Sequence, residues 1–218
     1  MPRRRRPRRP PPPLLPARFN LSHLNVHEFD VFSVASSLFW RTQPGLIAAF
    51  FAHLSEIGSR GFLAANDVSV CEAASAQHRI QCIVSNNYRH DGALSKERWM
   101  ITLSVLRRGH RIAYAGLDVR FLQPVASWFN ATSDLDLAFE GNYGLQKIGH
   151  FTPDFALAQP TPSAIHFMEG LVSVIRSRSL AGLPAFLQDP VLLRFNLMGP
   201  AEQDLLKDFV NSALYNTS

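Results

Sequence analysis

Apolar and polar positions divide the chain into short blocks with two different periods. Val26–Val34 mixes alternation with β-branched and aromatic residues and predicts a first strand. Leu46–Leu54 is a helical run of about three turns, opened by Thr42-Gln-Pro-Gly and closed at Gly58. Asp67–Cys71 and Arg79–Ser85 read as strands. Trp99–Leu106 and Arg111–Val119 read as a further pair, and Arg107-Arg-Gly-His110 between them suits a tight hairpin. Asp134–Phe139 alternates strictly, as a half-buried strand does. Ala164–Ile175 predicts a helix with arginines 176 and 178 near its C-terminus. Val191–Met198 returns to alternation. Gly199-Pro then opens a last helix with Leu205, Leu206, Phe209, Val210 and Leu214 on one face. The body is thus expected to be mainly β with added helices at 45–57, 163–176 and 200–214, an α+β arrangement.

Residues 19–218 carry no interior linker and no internal repeat, so they are expected to form one globular domain. The 46% hydrophobic composition is ample for a single core. Windows such as Leu46–Phe51 are too short to span a bilayer, so no membrane insertion is expected. The N-terminus lacks the apolar stretch of a secretory signal. Cys71 and Cys82 are the two cysteines; they suggest no disulfide framework and a reducing compartment. Asn20-Leu-Ser, Asn130-Ala-Thr and Asn216-Thr-Ser fit the glycosylation pattern, and without a signal peptide they read as chance matches.

Charge changes the picture at one end. Residues 1–18 contain Arg3, Arg4, Arg5, Arg6, Arg8, Arg9 and Arg18, seven prolines and no acid. Like charges repel, and proline removes backbone donors while favouring extended polyproline II structure. The segment is therefore expected to be a disordered arm. The formal net charge of +5 is concentrated there. Seven of the 22 basic residues lie in the arm, leaving 15 bases against 17 acids in the body. This division predicts that the seven arginines bind single-stranded RNA through its phosphates, largely without reading sequence. The same run could engage a nuclear import receptor.

Elsewhere, candidate chemistry is thin. Cys71, His78 and Cys82 follow no common zinc spacing and lack a fourth ligand, so two buried cysteines on adjacent strands is the preferred reading. His90-Asp91 could pair a base with an orienting acid, but Gly92 marks a turn and no nucleophile is singled out. Asp134 and Asp136 share one side of the predicted strand and could hold calcium, though a solvated face explains them better. No glycine-rich phosphate loop is present. The expectation is no enzyme, no cofactor and no metal. Leu183-Pro-Ala-Phe-Leu187 has an L-P-x-x-L core that resembles an F-box and gives the alternative of a viral regulatory protein or silencing suppressor, though a loop packing Leu183, Phe186 and Leu187 into the core explains it better.

The opening MPRRRRPRRPPPP, followed by a near-neutral body of this length, resembles the coat proteins of small positive-strand RNA plant viruses, most of all ourmiaviruses. That resemblance implies a jelly-roll-like capsid sandwich, self-association into a homo-oligomeric capsid, and packaging of genomic RNA by the arm. It also implies residence in the virion and host cytoplasm, and through the import signal in the host nucleus.

Overall fold

The computed structural model describes residues 21, 24–85, 91–141 and 151–177. After a 3-10 turn at Val26–Glu28 the elements follow in order. They are β1 (Val31–Ala35), α1 (Ser37–Thr42), α2 (Pro44–Glu56), β2 (Gly61–Ala65), α3 (Val68–His78), β3 (Gln81–Val84), α4 (Asp91–Leu106), β4 (Ile112–Ala115), α5 (Val125–Ala131), β5 (Leu137–Gly141), β6 (Phe151–Ala158) and α6 (Pro162–Ser177). The strands form one six-stranded sheet in the order β3-β2-β1-β4-β6-β5.

The first four strands in that order run parallel. β6 is antiparallel to β4 and to β5, with a register shift at Phe139/Glu140. Parallel neighbours need crossover connections, and helices supply them. The chain moves one way across the sheet from β1 to β3, then returns through α4 to β4 on the other side of β1. Crossovers of one hand that progress in opposite directions place their helices on opposite faces. Accordingly α2, α3 and α5 cover one face, where Ile47, Phe50, Leu54, Val70, Ala74 and Phe129 pack on Val31, Leu63 and Ala113. α4 covers the other, where Ile101 and Val105 pack on Phe32, Phe62, Ile112 and Tyr114.

Strands buried on both faces lose the alternation that marks a half-exposed strand. Gly61-Phe-Leu-Ala-Ala65 is of this kind: its last four residues are buried, and the strand has no signature in the sequence. Gly61 begins β2 where α2 comes very close. A Cβ there would stand 2.8 Å from Leu54 Cδ1, 3.1 Å from Phe51 Cε1 and 3.2 Å from the Val31 carbonyl oxygen. Gly61→Ala is expected to cost about 1–3 kcal/mol by overpacking, read as a lower denaturant midpoint. An unchanged midpoint would show that α2 does not sit where it is placed here.

The jelly-roll expectation is overturned. A jelly roll is two antiparallel sheets packed face to face, whereas this is one mixed sheet with helices on both sides. Two segments carry the error. Trp99–Leu106 belongs to a helix, and Gly109, at φ 78°, closes it instead of turning a hairpin. The Gly109 and His110 N–H groups return to the Leu106 and Val105 carbonyls, as at a glycine helix end. Asp67–Cys71 also belongs to a helix: Asp67 caps α3, its carboxylate accepting from the Ser69 N–H at 2.9 Å and the Ser69 hydroxyl at 2.8 Å. Those two bonds hold the Asp67 carboxyl below its usual range. Arg79–Ser85, Asp134–Phe139 and Leu46–Leu54 agree in type with β3, β5 and α2, and Ala164–Ile175 lies within α6. The strand predicted at 191–198, the helix at 200–214 and the F-box-like Leu183–Leu187 lie outside the described residues.

Candidate functional site at the carboxyl edge of the sheet

In an open α/β sheet the backbone diverges where the strand order reverses, which leaves a crevice at the carboxyl ends of the two central strands. Here the reversal falls between β1 and β4. The chain leaves β1 at Ser36 and turns toward β2; it leaves β4 through Gly116-Leu117-Asp118. Neighbouring strands add Asn66-Asp67 after β2 and Ser85 after β3.

The β1 side of this edge is built from polar side chains that satisfy backbone donors. The Ser36 hydroxyl accepts from the Phe39 N–H at 3.0 Å, and the Asn66 side-chain carbonyl accepts from the Ser37 N–H at 2.9 Å. Together they hold α1 against the end of β2. At β3, the Ser85 N–H donates to the Ala65 carbonyl at 2.7 Å, which extends the ladder beyond the last paired residue. On the β4 side, the Val119 N–H returns to the Gly116 carbonyl at 3.1 Å and leaves Asp118 exposed at the turn. The segment Leu117–Arg120 then faces Leu46, Phe50, His53 and Glu56 of α2 across an open cleft of about 420 Å3. His53 Nε2 is 2.8 Å from the Phe121 carbonyl and pins the far end of that loop.

A second unusual group lies beside the end of β3. α4 follows β3 in the chain and crosses back to β4, and Glu97 in its first half stands next to Ser85 at the carboxyl end of β3. Glu97 is fully buried, and neither carboxyl oxygen has a hydrogen-bond partner among the described residues. Burial pushes its pKa up to about 7, and the neighbouring Ser85 hydroxyl offsets this only in part. That hydroxyl is itself buried and lies near the carboxyl without a hydrogen bond of good geometry. The next residue, Arg98, is also buried; its guanidinium donates to the Tyr114 hydroxyl at 3.2 Å and lies 4.9 Å from the Tyr114 ring centre and 5.0 Å from that of Trp99. A buried carboxyl half-protonated near neutrality can hold or release a proton at physiological pH.

The sequence did not single out Glu97, because it read Trp99–Leu106 as a strand preceded by a loop. The signal was present in helical spacing, with Trp99, Leu103 and Leu106 at intervals of four and three and a glycine three residues beyond.

The residues singled out from sequence fare differently. Cys71 lies on α3, not on a strand, and is disulfide-bonded to Cys82 of β3. His78 packs its ring toward Trp40, with 6.2 Å between centres. These three therefore form no metal site, and the two cysteines are not on adjacent strands. Asp134 and Asp136 precede β5 in an exposed turn. Among the described residues no group of three histidine, cysteine, aspartate or glutamate side chains could hold a metal ion, and no helix is long and apolar enough to cross a membrane. Arg3, Arg4, Arg5, Arg6, Arg8, Arg9 and Arg18, and His90, lie outside the described residues. The RNA partner, self-assembly and the import receptor were inferred from sequence alone.

No protein-family profile matches the chain, and no curated protein matches it. Among solved structures it is similar to mouse xyloside xylosyltransferase 1, with a TM-score of 0.49 and 10% identity over 85% of this chain and 81% of that one. It is also similar to the glycosyltransferase GlyE of Streptococcus pneumoniae, with a TM-score of 0.47 and 12% identity over 82% of this chain. It spans 42% of the length of GlyE. The coat-protein expectation came from the resemblance of the arginine-rich opening and the length of the body, and a jelly roll was the fold it implied. A mixed α/β sheet replaces that fold, and the non-enzymatic coat-protein reading is withdrawn with it.

Proposed function

We infer that this chain is an enzyme that transfers a group from a nucleotide-linked donor to a hydroxyl. The observation that carries this is Glu97, a carboxyl buried beside Ser85 at the end of β3, without a hydrogen-bond partner among the described residues and with its pKa raised to about 7. Leaving a carboxyl in that state costs stability, and such groups cluster where a proton has to be moved. Transfer to a hydroxyl releases one proton as the new bond forms. Glu97 is the group on this chain proposed to take it, with the Ser85 hydroxyl at the end of β3 as its polar neighbour. The nucleotide part rests on architecture alone: the crevice at the β1/β4 reversal is where such sheets receive nucleotides. Glycosyl transfer is the first reaction to assay within this class.

Binding is tested by thermal unfolding with a panel of nucleoside diphosphates, each with and without magnesium or manganese. A ligand at about a hundred times its dissociation constant stabilises by about 2.7 kcal/mol, so at least one diphosphate should raise the midpoint clearly. A panel with no effect would sink the nucleotide assignment.

A further inference from the structure

We propose that Asn130 carries an N-linked glycan, attached in the same oxidising compartment in which the Cys71–Cys82 disulfide closes. Two separate observations meet here, and neither depends on the proposed reaction. The first is the disulfide itself. It joins α3 to β3 within one helix–strand unit, with 5.2 Å between the two Cα atoms, in the range that such bridges favour. Disulfides form and persist in oxidising compartments and are rare where glutathione keeps thiols reduced. The expectation of a reducing compartment stood on the cysteine count; the pairing of those two cysteines reverses it.

The second observation is the setting of Asn130-Ala131-Thr132. This tripeptide fits the acceptor pattern, with alanine where proline is forbidden. It ends α5 at the surface, and Asn130 is exposed. The recorded contact of its side chain is through Oδ1, which accepts from Arg111 Nη1 at a long 3.4 Å. That contact leaves Nδ2, the atom that receives a glycan, available. The Thr132 hydroxyl donates to the Trp128 carbonyl at 2.9 Å and keeps the helix end in shape. A glycan here would extend into solvent and displace no core residue. Asn20 and Asn216, the other two acceptor asparagines, lie outside the described residues.

The chemistry balances without any further group on this chain. Nδ2 attacks the anomeric carbon of a lipid-linked oligosaccharide diphosphate; the N–C bond forms, the C–O bond to the diphosphate breaks, the lipid diphosphate leaves and the amide nitrogen loses one proton. Cys71 and Cys82 give up two protons and two electrons to a disulfide-carrying exchange partner, which is reduced to its dithiol.

The test uses the native full-length protein, immunoprecipitated from the cells that make it. Enzymatic deglycosylation in heavy-oxygen water labels an asparagine that carried a glycan, and a parallel incubation without the enzyme removes spontaneous deamidation from the count. The peptide containing Asn130 should be labelled, and without reduction the Cys71 and Cys82 peptides should be cross-linked and closed to alkylation. An Asn130 peptide found only unlabelled overturns the glycan, and two alkylatable thiols overturn the shared compartment. As a second arm, the tagged full chain should lose one deglycosylation-sensitive gel step as Asn130→Gln and keep it as Thr132→Ser, which preserves the acceptor pattern. Loss of that step in both variants, or in neither, also counts against the proposal.

Discussion

Replacing Glu97 with glutamine will shift stability relative to wild type by roughly 3 kcal/mol between pH 4 and pH 8, in favour of the variant at the higher pH. The size follows from the gap between the ordinary glutamate value of 4.5 and the value of about 7 in the folded protein, at about 1.4 kcal/mol per pH unit. The sign follows from proton counting. Between those two values the unfolded chain has released its proton while the folded protein still holds it, so raising the pH favours unfolding. Below about 4.5 the carboxyl is neutral in both states and the term vanishes. Glutamine cannot ionise, so it escapes the penalty; whatever burying its amide costs is the same at both pH values and cancels in the comparison. Denaturant titrations of the two proteins across this range provide the check. Parallel stability curves would mean that Glu97 ionises in the folded protein as it does in water.

Trp99→Ala will cost about 3–5 kcal/mol, the range for removing a buried large aromatic side chain. That is about a fifth or more of the whole stability of an ordinary domain. Trp99 is fully buried in α4, with the Arg98 guanidinium at 5.0 Å and the Tyr114 ring at 6.4 Å. Its removal would open a cavity against β4 and free both partners. The variant should unfold at a much lower urea concentration with an unchanged slope. A change below about 1 kcal/mol would mean that this face of the sheet is packed otherwise.

The same helix shows what could and could not be read in advance. A helix with one wet face announces itself by period. α4 has scarcely any wet face: Glu97–Leu103, Val105 and Leu106 are all buried, because the sheet lies under it and α6 packs alongside. Within it Trp99–Leu106 is mostly apolar, and its β-branched and aromatic residues favour a strand reading. The glycine after it decided nothing, since Gly109 ends a helix as readily as it turns a hairpin. At Asp67 the competition was local. Val68-Ser-Val70 alternates, but the Asp67 carboxylate holding two Ser69 donors starts a helix instead. Where the patterns were unambiguous, as in Leu46–Leu54 after Pro44, the helix appears with proline in its first turn.

The candidate site was less legible still. Ser36, Asn66, Ser85 and Asp118 are ordinary residues at scattered positions, and only the parallel strand order brings them to one edge. Glu97 looks in the sequence like one more charge beside Lys96. Its importance comes from burial without a partner, a property that belongs to the fold. The arginines of residues 1–18, by contrast, dominated the sequence, and they led to a shell fold that the described residues do not adopt.

The most direct test of the central claim is the pH profile of nucleoside diphosphate release from nucleotide-linked sugars, for wild type and Glu97→Gln side by side. If Glu97 takes the proton lost by the acceptor hydroxyl, the wild-type rate should climb with pH through about 7 as the carboxyl ionises. The variant should be slower, with that limb gone. If no nucleotide-linked sugar is turned over, or if the variant keeps the wild-type rate and profile, Glu97 is not the proton acceptor at the carboxyl edge of this sheet.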